Sequence, residues 1–114
     1  MSFHFLFPGQ GSQHVGMGKF LCDEFSVARD VFEEASDAIH IDLKKLCFEG
    51  DDATLALTHN TQPALLTTSV ATFKVLKSIR EMRVELSAGH SVGEYAALVT
   101  AGTMSLSDGV RAVR

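Results

Sequence analysis

A chain of 114 residues, 46% hydrophobic and 21% charged, has an ordinary globular make-up and room for one domain at most. Its formal net charge of -4 and pI near 5.6, without any basic run, exclude the clustered positive surface that nucleic acid or an acidic membrane requires. Cys22 and Cys47 are too far apart for a C-x-x-C site and have no histidines at ligand spacing, so no metal is expected and both read as reduced, largely buried thiols.

Met1 to Phe7 is apolar but lacks Lys and Arg, and Pro8-Gly9 breaks it far short of a signal or membrane length, so the chain reads as cytoplasmic and soluble. Phe3-His4-Phe5-Leu6-Phe7 predicts a strand buried on both faces, delivering the chain into a loop rich in Gly and Gln. From Met17 the pattern turns helical. After Ser26, a candidate N-cap, Val27, Val31, Ala35 and Ile39 recur at spacings of four on one helix face. Residues 42–48 predict a short helix stopped by Gly50, and residues 51–57 another. Thr58-His59-Asn60 reads as a polar link, after which Thr61 caps a longer helix that tolerates Pro63 in its first turn and buries Leu66, Val70, Phe73 and Leu76. Leu86-Ser87-Ala88 predicts a second strand, residues 94–100 a helix, and Ser105 with Asp108 the start of a last helix running to Arg114. Two strands among some six helices give an α/β chain whose parallel sheet is incomplete, since such sheets need several strands and cover on both faces. No repeat, low-complexity tract or interdomain linker interrupts it.

Gly89-x-Ser91-x-Gly93 fits a nucleophile elbow, in which a serine sits on a sharp strand-to-helix turn and the flanking glycines let backbone pass closely. Glycine and serine alone produce this pattern in roughly four per cent of chains this size, so its placement between a strand-like and a helix-like run is what points to Ser91. A helix beginning just after the serine aims free N–H groups at a developing oxyanion, with the Val92 N–H as the natural first donor. His90 is a base by type, but neighbours on a turn point apart, so it reads as structural; Glu94 in the first helical turn favourably meets the dipole.

The loop Pro8-Gly9-Gln10-Gly11-Ser12-Gln13 follows a buried strand directly and should emerge at the carboxyl edge of the sheet, where open α/β folds keep their ligands. Gly9-x-Gly11 lacks the third glycine of a dinucleotide fingerprint, and Gly18-Lys19 lacks the P-loop spacing, which argues against phosphate cradling. The amide of Gln10 suits an oxyanion donor or a loop brace equally. Gln62 at the start of the long helix can reach a pocket or face solvent. His4, His14, His40 and His59 show no paired spacing and read as structural.

Taken together, Phe7-Pro8-Gly9-Gln10-Gly11-Ser12-Gln13, Thr61-Gln62-Pro63-Ala64-Leu65 and Gly89-His90-Ser91-Val92-Gly93-Glu94-Tyr95 resemble, in order and spacing, the three signature segments of malonyl-CoA:acyl carrier protein transacylases. The resemblance runs through the whole chain. It implies the amino-terminal part of an α/β-hydrolase-like core, a parallel sheet flanked by helices, with residues 1–114 a partial large subdomain and the small ferredoxin-like subdomain missing. It also implies a ping-pong reaction in which Ser91 takes a malonyl group from malonyl-CoA and passes it to the phosphopantetheine thiol of an acyl carrier protein in fatty acid biosynthesis, with no bound cofactor and a monomeric full-length enzyme.

By the same resemblance Gln10 and the Val92 N–H match oxyanion-hole positions, and His90 and Gln62 match residues lining the active site. The family's general-base histidine and its carboxylate-binding arginine have no counterpart here, and neither Arg111 nor Arg114 substitutes for the latter. The chain by itself is therefore expected to be catalytically dead or nearly so, and to expose apolar surface. Competing readings are a polyketide synthase type acyltransferase, an esterase built on the same elbow, and a noncatalytic fragment.

Overall fold

The computed structural model describes residues 2–114. The aromatic run forms strand β1 (Ser2–Phe7), and the Gly- and Gln-rich loop leads to helices α1 (Lys19–Glu24) and α2 (Ser26–Ile39). Two short helices follow, α3 (Leu43–Glu49) and α4 (Asp52–Leu55), each begun by an aspartate. The Asp42 and Asp51 carboxylates accept the N–H groups of Lys45 at 3.1 Å and Thr54 at 2.7 Å, which satisfies donors that have no helical partner. The long helix α5 (Thr58–Ile79) then leads to strand β2 (Arg83–Gly89), helix α6 (Gly93–Thr100) and helix α7 (Leu106–Val113). Ser105 caps α7 by accepting the Asp108 N–H at 3.1 Å, as its spacing predicts.

β1 and β2 pair in parallel, with Phe7 opposite Gly89, so the carboxyl ends of both strands reach the same sheet edge. Helix α5 is the centre of the helical layer and packs against α2, α6 and α7. Between Asn60 and Ala71 it is buried on nearly every side, the pattern of a helix with neighbours all round rather than a single apolar stripe. On α2 the buried face is Ala28, Val31, Phe32 and Ala35, one step round from the predicted stripe; Val27 and Ile39 lie at its margins. No helix of the described residues is long and apolar enough to cross a membrane.

Three expectations need correction. β1 is covered on one face only: Phe5 and Phe7 turn toward Phe73 of α5, with ring centroids 5.0 and 6.5 Å apart, while His4 and Leu6 alternate to the opposite face and stay exposed, Leu6 at 79%. Ser26 is the first residue of α2 rather than its side-chain cap; Phe25 takes the cap position and the helix has no side-chain cap bond. Helix α5 starts at Thr58, so Thr58-His59-Asn60 is its first turn and not a link. The cause lies in the preceding carbonyls. The Thr61 hydroxyl donates to the carbonyls of Leu55 and Leu57, and the Asn60 amide donates to the Thr54 carbonyl at 3.1 Å, which draws the segment into the helix and uses Thr61 as a tie rather than a cap.

Cys22 and Cys47 are free and buried as expected. Loss of solvent pushes the Cys47 thiol up to about 12, reinforced by neighbouring Cys22, and raises the Cys22 thiol too, so both are poor nucleophiles at neutral pH. Leu86 and Leu98, at 54% and 40% exposure, leave an apolar strip beside β2, lining with Val84, Ala88 and Ala97 a groove of about 870 Å³.

Candidate active site

At the end of β2 the chain turns within three residues into α6, and Ser91 occupies the turn with φ 55, a left-handed conformation rare for a residue with a side chain. Only His40 shares that feature among the non-glycine residues described, and it merely ends α2. A non-glycine held there beside a sheet edge marks a position where geometry outranks local comfort. The turn is built from backbone: the His90 N–H donates to the Phe7 carbonyl at 3.0 Å, and the Gly93, Glu94 and Tyr95 N–H groups each donate at 3.0 Å to the carbonyls of His90, Ser91 and Val92.

Both flanking glycines are demanded by close approach rather than by flexibility. A Cβ on Gly89 would overlap the Gly93 carbonyl group, and one on Gly93 would overlap the Phe7 carbonyl oxygen. Neither obstacle is a side chain that can swing aside.

The Val92 N–H, at the N-cap of α6, donates to no backbone carbonyl among the described residues, although Val92 is 3% exposed. Ser91 is exposed, and the free N–H of the next residue stands at a helix start, where the dipole favours a negative charge. Glu94 lies in the first turn of α6, where its charge meets the helix dipole.

The Gln10 loop comes to the elbow. A Cβ on Gly9 would stand 2.5 Å from the His90 carbonyl oxygen and 2.7 Å from its Nδ1, so loop backbone and imidazole are in contact and only glycine fits. The Gln10 amide Nε2 donates to the Thr58 hydroxyl at 3.2 Å, which fastens the loop to the first turn of α5. Gln62 sits one turn beyond Thr58 and therefore on the same face of α5, half-buried, toward the loop's attachment. The fold thus gathers the Gln10 loop and the His90-Ser91-Val92 turn at the sheet edge, and sets Gln62 on the helix face nearest the loop.

His90 contacts Gly9 and is fixed through its own N–H, a bracing position. Thr58 is the residue that sequence reasoning missed. It reads as linker, no local signal marks it, and only the early start of α5 brings it to Gln10.

The acyl transferase domain model matches residues 4–114. The chain belongs to the acyl transferase domain family. It is 53% identical over 110 residues to a malonyl CoA-acyl carrier protein transacylase of Bacillus subtilis, a match covering 96% of this chain and 28% of that protein. The fold superposes with a TM-score of 0.95 and 48% identity on an acyl-carrier-protein-S-malonyltransferase from Bartonella henselae, over 100% of this chain and 37% of that one. A malonyl-transacylase solved in complex with a type II polyketide synthase acyl carrier protein matches with a TM-score of 0.93 and 43% identity, over 99% of this chain and 37% of that one. The chain thus spans roughly a third of the length of these relatives and corresponds to the amino-terminal part of transacylase structures.

Proposed function

We propose that residues 1–114 form the nucleophile-bearing part of the large subdomain of a malonyl-CoA:acyl carrier protein transacylase. The observation that carries the reading is Ser91 at φ 55 on a glycine-locked strand-to-helix turn, with a free Val92 N–H beside it. In the first half-reaction the Ser91 Oγ bonds to the carbonyl carbon of the malonyl thioester, the negative charge that develops on the carbonyl oxygen is met by the Val92 N–H and the Gln10 loop, and the carbon–sulfur bond breaks. Coenzyme A leaves with the proton that the serine gave up. In the second, the sulfur of the carrier protein's phosphopantetheine thiol bonds to the ester carbonyl carbon, the bond from that carbon to Ser91 Oγ breaks, and the thiol's proton returns to the serine oxygen. Gln62 and His90 line the acyl site. The reaction needs no bound cofactor, and the whole enzyme works as a cytoplasmic monomer.

The family's base and its carboxylate-binding arginine have no match in these residues, so the chain alone leaves Ser91 a weak nucleophile. Incubation with malonyl-CoA followed by intact-mass measurement tests this, with Ser91→Ala as control. The expected result is no Ser91-dependent adduct on the 114-residue chain, and an adduct once it is joined to the portion of the Bacillus subtilis relative that lies beyond the match. Labelling of the chain alone would overturn its inactivity; silence of the joined protein would overturn malonyl transfer itself.

The relative solved with a polyketide synthase carrier supports a second acceptor. Offering the labelled joined protein a fatty acid or a polyketide carrier protein separates the two.

A further inference from the structure

Pro63 stands inside α5, where its missing N–H leaves the carbonyl of His59, four residues back, without a helical donor. That carbonyl is not left unsatisfied. The Nη1 of Arg114, just past α7, donates to it at 2.9 Å and to the Asn60 side-chain oxygen at 3.1 Å. One guanidinium nitrogen thus replaces the bond that proline removed, and ties the chain after α7 to the turn of α5 that carries Thr58. Thr58 in turn receives the Gln10 amide.

We propose that Arg114 is a positioning residue for the Gln10 loop, acting through the first turn of α5, and that it touches no substrate. The inference rests on the reading that this loop belongs to the acyl site. Its physical content is a relay: Arg114 holds the His59 carbonyl and Asn60, their turn presents Thr58, and Thr58 holds Gln10. Arg111 provides the contrast, since its Nε donates at 3.3 Å to the Ala38 carbonyl of α2, away from α5.

The relay is tested without any turnover, by hydrogen–deuterium exchange over residues 8–14 and 57–66 and by the nitrogen-15 resonance of the Gln10 side-chain amide. Arg114→Ala is expected to speed exchange in both segments by roughly three- to tenfold, the scale of one lost hydrogen bond, and to shift the Gln10 amide signal toward its free position. Arg114→Lys, which keeps a donor, is expected to restore part of both, and Arg111→Ala to leave both unchanged. In a Thr58→Val background Arg114→Ala should still loosen 57–66 but no longer alter 8–14. Loosening of 57–66 with an unmoved Gln10 signal in Arg114→Ala would overturn the relay, as would no change in either segment. Because these readouts need no malonyl adduct, failure of Ser91 to label in the joined protein would strike the functional reading and leave the relay judged on its own.

Discussion

At the elbow, position is imposed by backbone against backbone: a Cβ on Gly89 or Gly93 has a carbonyl group in its place, and the turn is closed by hydrogen bonds between main-chain atoms. In the helical layer behind it, position is imposed by side-chain volume. Phe32, fully buried on α2, packs against the ring of Phe48 with centroids 5.5 Å apart and beneath Gly18, and α5 is surrounded by apolar contacts. The two regions should fail differently. Backbone obstruction cannot be relieved by rotamer changes, whereas a packed side chain can be shortened at a graded cost.

Gly89→Ala is therefore expected to have the largest effect. The added methyl meets the Gly93 carbonyl, so either β2 or the start of α6 must shift, at more than about 4 kcal/mol, enough to consume most of the stability of a small domain. Soluble yield and urea unfolding check this, and a folded Gly89→Ala protein with an unchanged midpoint would show that the elbow is not closed as described. Phe32→Ala is expected to cost about 3–4 kcal/mol, through lost burial and the cavity beside Phe48 and Gly18, and to leave the protein folded but weakened. Should it cost less than 1 kcal/mol, volume would not be what holds the helical layer.

The same contrast explains what the sequence made legible. Backbone devices leave local marks: Gly-x-Ser-x-Gly between a strand pattern and a helix pattern located the elbow, and Ser105 with Asp108 located the start of α7. Packing leaves weaker ones. The start of α5 is not legible locally, because Thr61 and Asn60 are tied to the carbonyls of residues 54–57, which no local pattern announces. Ser26 falls one position inside α2 and not at its cap, a shift of the size by which fraying helix ends vary. The outer face of β1 reads as covered because its composition is that of a doubly buried strand. Within residues 2–114 the exposed Leu6 records an apolar composition without a covering layer. At the site, the positions of Gln10 and Ser91 follow from strand ends, but Thr58 and Arg114 depend on contacts spanning 48 and 55 residues and had no signature.

A smaller effect separates geometry from chemistry at Ser91. A residue with a Cβ at φ 55 carries a cost of about 1–2 kcal/mol relative to glycine in that conformation, while glycine's freer unfolded chain takes back roughly 0.5–1 kcal/mol. Ser91→Gly is accordingly expected to raise unfolding stability by about 0.5 kcal/mol, and Ser91→Ala, which keeps the Cβ, to leave it nearly unchanged. Both should abolish malonyl labelling in the joined protein. The pair matters because each variant loses the hydroxyl, so only the backbone conformation distinguishes their stabilities. If glycine stabilises and alanine does not, the nucleophile is held against its own preference, the signature of a site shaped for reaction rather than for folding. If glycine destabilises while alanine is neutral, the left-handed turn is absent in solution, and the donor geometry at Val92 that supports the oxyanion reading goes with it.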